Sequence, residues 1–430
     1  MFLGRLSRRS VSATPHVSPS HLLRFSLQKF AAGAVLLTAT VGAPAFADAP
    51  ESAVERGKYL AIAGNCSGCH TAEAGYMAGG EPFVTPFGTL YSTNITSHPE
   101  KGIGNWTREQ FRAAMRSGVR PNGEHLYPAF PYTSFTKVTD EDLDALYAYF
   151  QTVPPIDWTP PKNELNFPFN QRSLLGIWKR LFFKEGVFQP DSNQSEEWNR
   201  GAYLVQGLAH CGACHTPRNL LGAEKEDLAF SGGVYMDKIP DGDFKAWAAV
   251  NLTSAKTGLA GWTVDDLFSY LKTGISARAG TFGPMNKVIM NSTSQLSEAD
   301  VRAMSVYLKS LSPIEHKGSP PSQEVLAQGE VLYTTYCGSC HLPTGLGGEN
   351  NAPPLAGSAV VNAPSPASLL NILMYGPELP EPAPPTSWMA MEAHGEKMTD
   401  SEIAALASYV RSAWGNQGGA VSASEVAEHR

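Results

Sequence analysis

The chain has 430 residues, with 33 Lys and Arg against 40 Asp and Glu and a formal net charge of −7 at pH 7. Nucleic-acid binding needs clusters of Lys and Arg to neutralise phosphates, and so acidic a balance argues against it. The length sets an expectation of two or three domains.

Residues 1–47 read as a signal peptide. Arg5, Arg8, Arg9, Arg24 and Lys29 form a basic region without an acid, and Phe30 to Val41 is apolar but too short to span a membrane. Ala45-Phe46-Ala47 then fits a cleavage site. Arg8-Arg9 lies too far from the apolar segment for a twin-arginine signal, so general secretion is expected. Its removal leaves 28 basic residues against 40 acidic ones, a balance of −12. No later stretch reaches the apolar length of a transmembrane helix.

Residues 48–158 form the first expected unit. Val54 to Ala63 predicts a short helix leading into Cys66-Ser-Gly-Cys69-His70. A Gly/Pro/Thr-rich stretch, Gly79 to Ser97, reads as loop. Trp106 to Arg116 has helical periodicity, and Thr139-x-x-Asp142 caps a further helix that Pro154-Pro155 stops. Residues 159–189 are a Pro-rich linker that carries an amphipathic helix, Ser173 to Phe183. Its apolar residues include Ile177, Trp178, Leu181 and Phe182, with Arg172, Lys179, Arg180 and Lys184 beside them. Such a helix either packs between domains or meets a partner subunit or membrane interface.

Residues 190–316 repeat the design around Cys211-Gly-Ala-Cys214-His215. Arg200-Gly-Ala-Tyr-Leu204 echoes Arg56-Gly-Lys-Tyr-Leu60, and Asn251-Leu-Thr253 echoes Asn94-Ile-Thr96. Ser297-x-x-Asp300 opens its closing helix, as Thr399-x-x-Glu402 does further on. After a linker at 317–322, residues 323–430 hold Cys337-Gly-Ser-Cys340-His341 and a C-terminal tail. A duplicated domain fits a repeat of this length; a solenoid does not.

C-x-x-C-H is the pattern of c-type haem attachment. Two cysteines three apart reach the vinyl groups of one porphyrin, and the following His lies under the iron. Zinc would want a second ligand pair per site. All six cysteines fall in the three motifs, each with its His, so three covalently bound haem c groups are expected. Cys66, Cys69, Cys211, Cys214, Cys337 and Cys340 hold the cofactor, and His70, His215 and His341 bind iron. The fold expected is mainly α, with three tandem cytochrome c-like domains joined by Pro-rich linkers.

Methionine as sixth ligand closes an iron and raises its potential. Met285, in a loop Phe282-Gly-Pro-Met285, is the candidate at the second site, with Met290 as fallback. At the third, Met391 is preferred to Met389, and Met398 reads as core. The Pro353 carbonyl is expected to hold Nδ1 of His341. The first unit has His125-Leu-Tyr-Pro-Ala-Phe130-Pro-Tyr132, where phenylalanine cannot ligate. Met77, Met115, His98 and His125 remain, with His125 first among them.

Taken together, these strings resemble the triheme cytochrome c subunit of the membrane-bound dehydrogenases of acetic acid bacteria and relatives. The resemblance covers the mature chain and includes Tyr91-Ser-Thr-Asn-Ile-Thr96, Cys214-His-Thr-Pro-Arg218, Gly283-Pro-Met285 and Trp414-Gly-Asn416. It implies a catalytic subunit with a quinone, flavin or molybdenum cofactor, which oxidises an alcohol, aldehyde, gluconate, fructose or sorbitol. Electrons pass from it through the haems to membrane ubiquinone. The family's methionines fall on Met285 and Met391, while Phe130 stands where many members have Met. Some relatives carry a C-terminal membrane helix; none is read here up to Arg430, so attachment on the periplasmic side is expected to be peripheral. The rival readings are a stand-alone periplasmic carrier and a peroxidase-like protein with an open first haem.

Overall fold

The computed structural model describes residues 52–239, 242–348, 352–380 and 388–430. The signal peptide read at 1–47 lies outside them. The described residues belong to one compact unit, Pro50–Arg430.

In chain order the elements are α1 (Ala53–Ala63), α2 (Cys66–His70), β1 (Pro82–Thr85), β2 (Gly88–Tyr91), α3 (Arg108–Ser117), α4 (Tyr132–Phe135) and α5 (Asp140–Phe150). Then come β3 (Glu164–Leu165), α6 (Leu175–Phe182), α7 (Glu196–Gln206), α8 (Gly212–His215), β4 (Gly233–Lys238) and β5 (Phe244–Ala249). The rest are α9 (Val264–Thr273), α10 (Pro284–Asn291), α11 (Glu298–Ser310), α12 (Gln323–Tyr336), α13 (Gly338–His341), α14 (Ala367–Tyr375), α15 (Asp400–Val410) and α16 (Ala423–His429).

Three helix pairs organise the chain: α1 packs on α5, α7 on α11 and α12 on α15. Each closing helix starts where the sequence places a cap. The hydroxyls of Thr139, Ser297 and Thr399 accept the backbone N–H three residues on, satisfying a helix-terminal donor. Each crossing is set by a glycine. A Cβ on Gly57 would sit 1.9 Å from the Ala145 carbonyl oxygen, one on Gly201 1.9 Å from that of Ala303, and one on Gly329 2.3 Å from that of Ala405. Backbones this close leave no room for any other residue.

A small sheet corrects the loop expected over Gly79 to Ser97. β1 and β2 form a hairpin, with Thr85 opposite Gly88, and β3 adds to β2. Gly88 takes φ 116, which a side chain would strain, and its turn is what lets the Thr-rich run fold back. In the second repeat β4 and β5 pair over Gly233↔Ala249 to Lys238↔Phe244.

The first two repeats share one apolar core, in which Leu60, Leu143 and Leu146 meet Leu204, Val301 and Leu308. The third builds its own around Tyr333, Leu370, Leu406 and Val410. It joins the second through β5 and α14: Ala248 N donates to Ser368 Oγ at 2.9 Å, and Asn371 Nδ2 donates to the Ala246 carbonyl at 2.8 Å.

The first two repeats also clasp each other reciprocally. Arg56 Nε donates to Asp142 Oδ1 at 2.8 Å, and Tyr203 of the second repeat donates to Asp142 Oδ2 at 2.5 Å. In mirror fashion Arg200 Nε donates to Asp300 Oδ1 at 2.7 Å, and Tyr59 of the first repeat donates to Asp300 Oδ2 at 2.6 Å. Each carboxylate takes the Arg of its own repeat and the Tyr of the other. This is the geometry of an isologous, two-fold interface within one chain.

Candidate haem sites

Each C-x-x-C-H motif follows the first helix of its pair and turns into one short helix, α2, α8 or α13. No disulfide joins any of the six cysteines. Burial pushes Cys66, Cys69 and Cys211 up to about 12 and Cys337 up to about 11, so these thiols lie in apolar surroundings, while Cys214 is exposed. Among the described residues no three His, Cys, Asp or Glu side chains converge as a metal-holding group.

The histidines share one arrangement. His70 Nδ1 lies 2.6 Å from the Thr93 carbonyl oxygen, His215 Nδ1 2.8 Å from that of Val250, and His341 Nδ1 2.9 Å from that of Pro353. A carbonyl can only accept, so each Nδ1 carries the proton and each Nε2 lone pair is free for a metal. Burial lowers all three histidines, against the carbonyl bond that pulls the other way, and favours the neutral ring a ligand must be. The Pro353 carbonyl stands where the sequence placed it.

Why the carbonyl points at the ring follows from the repeated Asn-x-Thr. Asn94 Oδ1 accepts from Thr96 N at 2.9 Å and from Thr96 Oγ1 at 2.7 Å, while Asn94 Nδ2 donates to the Ile156 and Trp158 carbonyls. Asn251 does the same with Thr253 and the Ile314 carbonyl. Each turn locks the peptide just before its Asn, at Thr93 or Val250. In the third repeat Asn416 Nδ2 donates to the Leu355 carbonyl and Trp414 Nε1 to that of Pro343, fastening the loop that carries Pro353.

The residues present fit haem c. Apart from the thiols and the oriented imidazoles, a buried donor without a protein partner, Trp247 Nε1, lies three residues before the Val250 carbonyl that holds His215. Trp247 lies over the Gly283 turn, where a Cβ would come 2.6 Å from its ring. Donors left in this way suit the carboxylates of a porphyrin.

Met285 stands on a helix, which corrects the loop read for it. Pro284 occupies the first turn of α10, where its missing N–H costs nothing. α10 packs on α2, the first attachment helix, and Gly283 N donates to the Glu378 carbonyl of the third repeat at 3.0 Å. Met290 lies on the same helix. Met391 packs against the third core, whereas Met389 is 60% exposed, and Met398 is buried as expected.

The first-site candidates are dispersed. Met77 and Met115 are buried in the shared core. His98 turns both nitrogens outward, Nδ1 to the amides of Glu100 and Lys101 and Nε2 towards Asp157. His125 faces α6: its Nδ1 is 3.1 Å from Lys179 Nζ, and its Nε2 would lie 3.1 Å from a Cβ on Gly176. Phe130 packs against Phe135 with its ring tilted, centroids 5.3 Å apart, and Phe135 meets the His210 ring edge-on at 5.5 Å. His210, one residue before Cys211, places Nε2 3.3 Å from the Gly64 carbonyl, two residues before Cys66. Sequence reasoning missed this link between the two attachment segments, because nothing in the local pattern marks it.

A family model described as "Cytochrome c" matches residues 54–154, and one described as "Cytochrome C oxidase, cbb3-type, subunit III" matches residues 324–410. The fructose dehydrogenase cytochrome subunit of Gluconobacter japonicus is 39% identical over 90% of this chain and 84% of its own length. The chain belongs to the cytochrome c subunits of the fructose, alcohol and gluconate dehydrogenases. The cytochrome c subunit of the quinone alcohol dehydrogenase of Gluconacetobacter polyoxogenes is 37% identical over 93% of this cytochrome subunit and 89% of its own length. A nicotinate dehydrogenase subunit from Pseudomonas putida is 41% identical over 83% of the chain, which spans only 30% of that protein. Cytochrome c domains hold haem c covalently, and a protein made of them transfers electrons.

Proposed function

We propose that the protein is a triheme c-type cytochrome of three tandem cytochrome c-like domains joined by Pro-rich linkers. It carries electrons from a catalytic dehydrogenase subunit, bearing a quinone, flavin or molybdenum cofactor, to ubiquinone in the membrane. The observation that carries this reading is the threefold recurrence of a motif histidine held at Nδ1 by a backbone carbonyl. The relatives, named as cytochrome subunits of dehydrogenases, support a catalytic partner. No helix among the described residues is long and apolar enough to cross a membrane. In this reading attachment is peripheral, on the periplasmic side.

Haem c, when bound, supplies an iron that takes up and releases one electron. The chain's own residues do the rest. The six cysteines tether the cofactor, the three carbonyls keep the imidazole planes from turning, and the apolar crevices exclude water. Met285 and Met391 would offer their thioether sulfurs to the second and third haems. At the first, Phe130 offers no donor and His125 is engaged by Lys179, so the first haem would be held differently from the other two.

Met285→Ala and Met391→Ala are each expected to open one iron, lower its potential and give a high-spin spectrum; Met389→Ala, at an exposed position, should leave the spectrum unchanged. The functional reading is tested by extracting the holoprotein from membranes. A larger dehydrogenase subunit should co-purify, and its substrate should reduce the haems and then a ubiquinone analogue. A haem protein that emerges alone and reduces no quinone points to the stand-alone carrier. One that turns over peroxide points to the open first haem.

A further inference from the structure

We propose that the protein rests on anionic lipid through a composite apolar foot built from α6, the 167–169 segment and the 220–222 turn. The inference gives a face to the peripheral attachment proposed above. It begins with a lysine. Lys179 is buried on the inner side of α6, where its Nζ donates to the Ser117 carbonyl at 2.5 Å and the Gly118 carbonyl at 2.7 Å and sits 4.7 Å over the Tyr132 ring. With Leu175 it fixes which face of the helix points inward.

The opposite face is apolar and uncovered. Leu174, Ile177 and Leu181 recur at helical spacing, and Ile177 and Leu181 are 57% and 66% exposed. Two other segments extend this face. Trp178 Nε1 donates to the Leu221 carbonyl at 2.9 Å, which seats the turn bearing Leu220, 95% exposed, beside α6. Phe87 joins the remaining edge: the Phe169 ring lies 4.5 Å from it, and a Cβ on Gly222 would approach it to 3.0 Å. Phe167, 79% exposed, completes the patch. Two loops and a helix that all present large apolar side chains to solvent form one surface, not scattered exceptions.

Charge selects the occupant. Between Glu164 and Glu185 the chain has Arg172, Lys179, Arg180 and Lys184 and no acid; Lys179 is turned inward and Arg172 lies 3.9 Å from Glu124, which leaves Arg180 and Lys184. Arg180 and Lys184 are exposed and form no ion pair with any described residue. Apolar knobs flanked by two unpaired cations match an anionic bilayer surface, where the knobs enter the acyl boundary and the cations meet headgroup phosphates.

The test is co-sedimentation of the full-length holoprotein with vesicles. Wild type is expected to bind mixed phosphatidylcholine–phosphatidylglycerol vesicles, to bind pure phosphatidylcholine more weakly, and to lose the difference at high salt. Ile177→Ser/Leu181→Ser/Leu220→Ser should bind both kinds at least about tenfold more weakly, with the haem spectrum unchanged. Arg180→Glu/Lys184→Glu should remove only the preference for the anionic vesicles. Equal binding by the triple variant and wild type overturns the proposal. So does a triple variant that keeps its vesicle binding but no longer co-purifies with the dehydrogenase subunit, because the foot is then a protein interface. Neither result touches electron transfer, which is read separately from haem reduction by the partner's substrate.

Discussion

Cys211→Ala/Cys214→Ala is expected to yield a protein that keeps two covalent haems and has lost its electron throughput. Denatured samples should show about a third less haem absorbance than wild type, because each C-x-x-C pair tethers its own porphyrin. The loss of throughput should exceed that third. The second site lies between the other two: α10, with Met285, packs on the first attachment helix, and Gly283 and Asn286 both donate to the Glu378 carbonyl of the third repeat. If the three haems proposed above conduct in series, removing the middle one separates donor and acceptor sides. Cys337→Ala/Cys340→Ala provides the contrast, since the third site rests on a separate core and its loss should leave the first two spectroscopically intact. Mass spectrometry of the intact chains checks the stoichiometry. Three haems remaining in the first variant, or one in the second, would contradict the assignment of one motif to one cofactor.

The second large effect is expected at the reciprocal clasp. Asp300→Ala leaves the Arg200 guanidinium and the Tyr59 hydroxyl without their acceptor at a site only 8% exposed. Breaking a fully buried pair costs about 3–5 kcal/mol; Arg200 reaches water in part, so about 2–3 kcal/mol is expected. Glu402→Ala, at the same helix position in the third repeat, removes only a capping box and should cost about 1 kcal/mol. The two variants separate in thermal melts. The difference should also depend on pH. Burial alone would raise the Asp300 carboxyl, but the bonds from Arg200 and Tyr59 outweigh it and hold it below its ordinary value. A depressed carboxylate stabilises the fold above its unfolded pKa of about 3.9 and loses that contribution as pH falls through the folded value. Wild type should therefore lead the variant at neutral pH and converge on it in acid.

Much of this was legible in the sequence because the signals are local. Thr139, Ser297 and Thr399 each announce a helix by a hydroxyl three residues before an acid, and the structure bonds them accordingly. The three motifs need only their own spacing. Where the outcome depends on distant partners, the sequence was silent or misleading. Gly79 to Ser97 looked like loop because its glycines and threonines hide a four-residue alternation, and a strand that short is decided by its partner. Gly-Pro before Met285 looked like a turn, yet proline suits the first position of a helix equally well. The repeated Arg-Gly-x-Tyr-Leu was visible, but nothing along the chain says that the tyrosine reaches the other repeat's aspartate. The same holds for His125, whose commitment to Lys179 spans 54 positions.

The clasp has a consequence for what the linker has to do. Tyr59 and Tyr203 exchange acceptors across the boundary, and the two repeats fill one core, so their association does not depend on the peptide between them. The pair is in effect a dimer written on a single chain. Covalent continuity adds only a high effective concentration, which keeps the two cofactor crevices together at any dilution and in equal numbers. Segment 154–190 is thereby released from joining the two repeats, although its Ile156 and Trp158 carbonyls hold Asn94 and its Lys179 holds the end of α3. Its outward residues carry neither duty, and a cytochrome with the same cofactors could change its surroundings by rewriting those residues alone.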